Sequence, residues 1–275
     1  MTHFLVVPQW QGSSSSRAMQ LIDGALAIAG DLPRSSCVVL DVPMEAGESL
    51  DSGVHRLSAL HRIARAHLEA LAELDDPVLT IGGDSGVATT AALAAVGATG
   101  GTIDPKAVVV WFSSHAGLHD PGSSPTGAFD SMSARALLED AAPRPAEFSL
   151  AADRLILAGV RAVDAAEADV IERLGVSVLS ADELTPDALA AAVAGLGASH
   201  VFIHVDLDVL DPAAVTGVSD PEPFGPDVAQ LVACIGAVRA HTPLHAAAIT
   251  GFAPTSPADA VNDLGAILRL VGALA

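Results

Sequence analysis

Chemistry-bearing residues gather at three points of the chain. His204-Val205-Asp206-Leu207-Asp208-Val209-Leu210-Asp211-Pro212 follows the apolar run His200 to Ile203, which predicts a buried strand. Alternation along a strand puts Asp206 and Asp208 on one side, about 7 Å apart. Two carboxylates on one face at a strand end make a half-site for Mg, Ca or Mn, because hard cations take oxygen ligands. Pro212 stops the strand, since it has no N–H for the ladder. The competing reading is that Asp206, Asp208 and Asp211 only cap the following turn. A second cluster, Ser113-Ser114-His115-Ala116-Gly117-Leu118-His119-Asp120-Pro121, ends the β-rich run Val108 to Phe112. A third, Gly82-Gly83-Asp84-Ser85, ends Val78 to Ile81. Polar groups at the carboxyl ends of neighbouring strands define one pocket in an open α/β sheet.

The elements that must position these residues show in the hydrophobic pattern. Strand-like runs fall at Phe4–Val7, Cys37–Val42, Val78–Ile81, Val108–Phe112, Leu155–Val160, Val176–Leu179, Val201–Val205 and Leu244–Ile249. Between them lie segments with helical spacing, among them Val54–Leu74, Gly86–Val96, Pro186–Gly195 and Val228–Val238. Strands alternating with helices at this pitch predict a parallel sheet. A hydrophobic content of 51% suits a sheet covered on both faces, and 275 residues with no compositional break suit one domain over 1–275. Ser114 to Ser149 is the one long irregular stretch, with a short helix expected near Ala134–Glu139; loops of this length in compact domains usually serve function. Ser13–Ser16 is expected to form a loop and helix N-cap.

Bulk properties narrow the partners. With 33 acidic against 13 basic residues the formal charge is −20, which argues against nucleic acid and anionic membrane surfaces. Lys106 is the sole lysine, so P-loop or Schiff-base chemistry is not indicated. Cys37 and Cys234 sit in apolar runs and are expected to be buried thiols in a reducing cytoplasm. No signal peptide and no membrane-spanning run is expected. A dinucleotide-binding reading gains little, because Gly82-Gly83-Asp84-Ser85 follows a strand but lacks the Gly-x-Gly-x-x-Gly pattern.

Taken together, the three clusters resemble the ureohydrolase superfamily of arginase, agmatinase and formimidoylglutamase. That family carries a Gly-Gly-Asp-His-Ser segment, an Asp-Ala-His-x-Asp segment after a Trp-containing strand, and Ser-x-Asp-x-Asp-x-x-Asp-Pro. A tail of Gly-x-x-x-Pro-Glu-Pro-x-Gly follows, matched here by Gly217-Val218-Ser219-Asp220-Pro221-Glu222-Pro223-Phe224-Gly225. The resemblance covers nearly the whole chain. It implies a single-domain three-layer αβα fold with an eight-stranded, mostly parallel sheet. It also implies a homo-oligomer, trimer or hexamer, and a small cationic or amide-type substrate.

Departures from the family pattern are concentrated at its metal ligands. Two His and four Asp hold two Mn ions in the family; the matching positions here are Ser85, Ser113, His115, Gly117, Asp206 and Asp208. The resemblance therefore implies either no metal or one divalent ion, Mn foremost, on His115, Asp206 and Asp208. Two carboxylates balance about one divalent charge. Gly127-Ala128-Phe129-Asp130-Ser131-Met132 places Asp130 where the family has a proton-shuttling His, and Gly251-Phe252-Ala253-Pro254 places Gly251 at the guanidinium-gripping carboxylate. Asp130, Asp220 and His204 are the candidate catalytic residues. Ser85, Ser113, Gly117, His119 and Gly251 are expected to line the pocket. Against these stand blander expectations: His119 as a solvated loop residue, His204 as a packed residue behind the ligands, Asp84 as a turn organiser, and Asp130 and Asp220 as surface carboxylates. Two functions follow: a non-catalytic relative that does not hydrolyse arginine or agmatine, or a one-metal or metal-free hydrolase of an amidine, guanidine or amide C–N bond.

Overall fold

A computed structural model describes residues 2–74, 77–98, 102–138 and 149–275. Long apolar runs have become the strands of one eight-stranded sheet, ordered β2-β1-β3-β10-β9-β6-β7-β8. The strands are β1 (His3–Val7), β2 (Cys37–Val39), β3 (Val78–Gly82), β6 (Ala107–Phe112), β7 (Leu155–Val160), β8 (Ser177–Ser180), β9 (His200–Asp206) and β10 (Leu244–Thr250). Every pairing within this sheet is parallel. A small antiparallel pair, β4 (Gly97–Ala98) with β5 (Thr102–Ile103), was not expected from the sequence.

Among the described residues, seven helices cover the sheet: α1 (Gln20–Gly30), α2 (Leu57–Ala72), α3 (Gly86–Val96), α4 (Ala165–Leu174), α5 (Pro186–Gly195), α6 (Val228–Arg239) and α7 (Pro257–Leu274). The pleat of β6 shows the layering. Val108, Val110 and Phe112 enter one core with residues of α1, α5, α6 and α7, whereas Val109 and Trp111 enter the other with α3 and α4. Burial on both faces explains why the central strands read as unbroken apolar runs. Helix α3 is buried on nearly every side.

Local differences from the expectations have physical causes. β2 ends at Val39 rather than Val42, as edge strands pair on one side only. Helix α2 starts at Leu57 because Arg56 takes the left-handed conformation, φ 60°. The Ser13–Ser16 run caps no helix: α1 begins later, after Met19, with no side-chain cap. The helix expected near Ala134 is a 3₁₀ turn, Arg135–Leu137, and Glu139 lies outside the described residues. Cys234 is buried but Cys37 only half-buried, since β2 lies at the edge.

Candidate functional site

Strands β3, β6, β9 and β10 deliver their carboxyl ends to one cavity of about 530 Å³. Asp84, Ser85, Ser113, His115, Gly117, His119, Asp130, Asp206, Asp208, Asp220 and Gly251 all line it. Among the described residues neither lysine nor arginine lines it, whereas six carboxylates do.

Asp208 is the most engaged of these carboxylates. The strand stops at Asp206, so Asp208 sits in the 3₁₀ turn Leu207–Val209, and strand alternation does not apply to it. Its two oxygens accept from Ser113 Oγ (3.1 and 3.2 Å), Ser114 N (3.0 Å) and Ser114 Oγ (2.6 Å). Oδ2 also lies 2.8 Å from His115 Nδ1. On its far edge, His115 Nε2 faces Asp220 Oδ2 at 3.4 Å and Glu222 Oε1 at 3.9 Å. Burial opposes the imidazolium, but the hydrogen bond and charge of Asp208, with the charges of Asp220 and Asp206, outweigh it and raise the His115 pKa to about 9. Burial likewise disfavours the Asp208 carboxylate, yet His115 and Ser114 hold it below its ordinary value.

Asp206 is turned differently. Its Oδ1 accepts from the Asp208 amide (3.2 Å) and its Oδ2 from Thr250 Oγ1 (3.0 Å). The expected turn-capping role is thus real, and coexists with a place on the wall. Burial and the neighbouring Asp208 charge push its pKa well up. Asp211 is a cap alone, accepting from Ala213 N and Phe224 N. His204 does not reach the wall directly: it is fully buried and stops at Thr250, 2.7 Å from Oγ1.

The remaining candidates take structural partners too. Ser85 Oγ donates to Ser133 Oγ at 3.2 Å. Asp130 binds the serine loop, accepting from Ser14 N and Oγ (2.9 and 3.1 Å) and from Ser131 N (2.7 Å). Asp84 organises the β3 turn as expected, accepting from Gln9 Nε2, Gly12 N and Gly86 N, while burial pushes its pKa up to about 7. His119 is buried rather than solvated; its Nε2 faces Asp164 at 3.4 Å and Glu167 at 3.9 Å. Gly117 and Gly251 have φ of +63° and +89°, where L side chains are strained. A Cβ on Gly251 would stand 2.2 Å from Asp206 Oδ1.

Sequence reasoning missed Ser114, Thr250, Asp164 and Glu167. Asp164-x-x-Glu167 carried a usable signal, a capping box opening α4. Among the described residues, two groups of three place ligand atoms all within 4.8 Å of one another: His115 with Asp220 and Glu222, and His119 with Asp164 and Glu167.

An all-parallel eight-stranded sheet with a carboxylate-rich cavity at its carboxyl edge has the architecture of the arginases. The chain belongs to the arginase family, whose profile matches residues 12–268. It is 25% identical over 201 residues to an arginase of Bacillus caldovelox, covering 66% of this chain and 65% of that one. It is 31% identical over 113 residues to an N(omega)-hydroxy-L-arginine amidinohydrolase of Streptomyces lavendulae, covering 40% and 39%. The aligned stretches thus span under two thirds of these relatives. In structure it resembles an Entamoeba histolytica arginase solved with L-ornithine, with a TM-score of 0.84, 18% identity and 98% of each chain covered. The proclavaminate amidino hydrolase of Streptomyces clavuligerus shares the fold at a TM-score of 0.68 and 19% identity, covering 99% of this chain and 91% of that one.

Proposed function

We propose that this protein binds a small guanidinium- or amine-type cation in the acidic cavity, without a binuclear manganese centre and without hydrolysing arginine or agmatine. Arginase-family members use binuclear manganese sites. Two such ions would supply an activated water for attack on the guanidinium carbon. One observation carries the proposal. His115 and Asp208, two of the residues the family resemblance assigns to metal, are bonded to each other, Nδ1 to Oδ2, at 2.8 Å. The imidazolium supplies the cation that Asp208 needs. Backbone geometry supports the same reading. Gly117 and Gly251, at positions where the family has carboxylates, adopt a conformation unfavourable to any side chain. Ser113 and Ser85 instead donate to Asp208 and Ser133.

Cation binding is supported by the lining: Asp84, Asp130, Glu167, Asp206, Asp208 and Asp220, with no basic side chain except histidine among the described residues. A second reading, a one-metal C–N hydrolase, is favoured by His115 Nε2, Asp220 and Glu222, which converge with Asp208 behind the ring. A carboxylate behind a ligating histidine is a common orienting arrangement. In this reading His115 is the ligand shared with the expected His115, Asp206 and Asp208 set.

Metal analysis of protein purified without chelator, calorimetric titration with agmatine and a urea assay with added Mn²⁺ decide the matter. The proposal expects less than one ion per chain, heat on agmatine addition and no urea. Urea release at about 1 per second or faster, the lower end for enzymes, overturns it. One tightly held ion lost in Asp220→Asn favours the second reading.

A further inference from the structure

Behind the cavity wall lies a buried chain of three polar groups that the family pattern does not contain: the family has Ser at the position of His204. His204 Nε2 lies 2.7 Å from Thr250 Oγ1, which donates to Asp206 Oδ2 at 3.0 Å. All three residues are buried, at 0%, 1% and 9% exposure. They come from neighbouring strands in register, as Ala248 pairs with His204 and Thr250 with Asp206. Trp111 packs edge-on against the imidazole, with ring centroids 3.9 Å apart, and fixes its plane.

We propose that His204 and Thr250 are positioning residues for Asp206, forming a one-way hydrogen-bond relay that locks its carboxylate on the cavity wall. A hydroxyl has one proton to give. An ionised Asp206 can only accept, so Thr250 gives that proton to it and the Thr250 oxygen accepts from His204. The ring must therefore carry its proton on Nε2, leaving a bare Nδ1. The surroundings of the ring agree, for Nδ1 has no partner among the described residues. The opposite direction would put an N–H at that orphan position, and unpaired buried N–H groups are rarer and costlier than unpaired acceptors.

The relay gives Asp206 a function that its burial alone would deny. With Oδ2 held by Thr250 and Oδ1 by the Asp208 amide, the carboxylate cannot swing toward His115. His115 is then left to Asp208, and Asp206 stays available to a ligand from the wall. The relay holds whichever ligand the cavity takes.

Imidazole nitrogen spectra of protein labelled in histidine, with His204 assigned from its loss in His204→Gln, test the relay without any ligand. At neutral pH His204 should be the neutral Nε2–H tautomer, and Thr250→Ser should leave it and the Asp206 carboxyl carbon signal in place. Thr250→Val should move both signals, whereas Ile249→Val, a packing change beside Thr250, should move neither. An Nδ1–H tautomer or a charged ring in the unmodified protein overturns the relay. So does an Asp206 signal that is the same in Thr250→Val as in Thr250→Ser.

Discussion

At the scale of single residues, His115 is the centre of charge balance in the cavity. It sits between Asp208 on one edge and Asp220 and Glu222 on the other. Its folded-state pKa lies above the ordinary 6.5, at about 9. A raised histidine contributes stability that is complete below the unfolded value and is lost as pH climbs through the folded one. Stability should therefore fall between about pH 6.5 and pH 9, and His115→Gln should fall less over that window. Urea denaturation of both proteins at the two ends of the window measures the difference. Equal slopes would mean that the imidazolium is not the partner of Asp208.

Elements position the site through a few cross-links between loops and helix starts. Asp164 and Glu167 form a reciprocal capping box on α4: Glu167 N donates to Asp164 Oδ1 at 2.9 Å, and Asp164 N to Glu167 Oε2 at 3.4 Å. The other oxygen of Glu167 accepts from Leu118 N at 3.1 Å, tying the His115–His119 loop to the helix. Arg161 performs a similar task nearby. Its guanidinium donates to the carbonyls of Asp208, Val209 and Leu210 in the turn and to those of Glu222 and Pro223 in the tail. Glu167→Ala orphans the Leu118 amide and removes half of the cap, so it should cost about 2 kcal/mol. Hydrogen exchange at Leu118 should accelerate in that variant, and an unchanged rate would show that the loop is held by other contacts.

For the whole molecule, acid is the expected weak point. His67 on α2 and His204 on β9 are both buried, and burial lowers each pKa to about 3. Such histidines remain neutral in the fold but take up a proton when the chain unfolds. Stability is thus lost as pH falls from about 6.5 toward 3, by about 2 kcal/mol per group between pH 7 and pH 5. His67→Leu should shrink the loss over that interval by about this amount, as read from urea denaturation, whereas an unaltered loss would mean that water reaches the ring. Assembly is a separate expectation: a homo-oligomer, trimer or hexamer. The edge strand β2 leaves Val38 and Val39 exposed, with Met44 and Leu50 exposed in the segment after it. Light scattering at micromolar concentration checks this, and a monodisperse monomer would contradict it.

By itself the sequence determined the strands and the order of the chemistry along the chain. Central parallel strands buried on both faces need continuous apolar runs and the edge strands keep shorter ones, so all eight sheet strands were visible, and the polar residues ending β3, β6 and β9 marked one cavity. Family motifs supplied the strand count and the positions to compare with the family's ligands. Only the tertiary structure decided which partners those residues take. Ser114 reaches Asp208 across 94 positions of sequence and Thr250 reaches Asp206 across 44, pairings that no local pattern encodes. It also set the conformations of Gly117 and Gly251 and ended β9 at Asp206, which aims Asp206 and Asp208 at different partners. The physical reason is that hydrophobic periodicity is a property of a segment and its solvent. The hydrogen bonds of a buried polar group depend instead on which strands the fold makes neighbours.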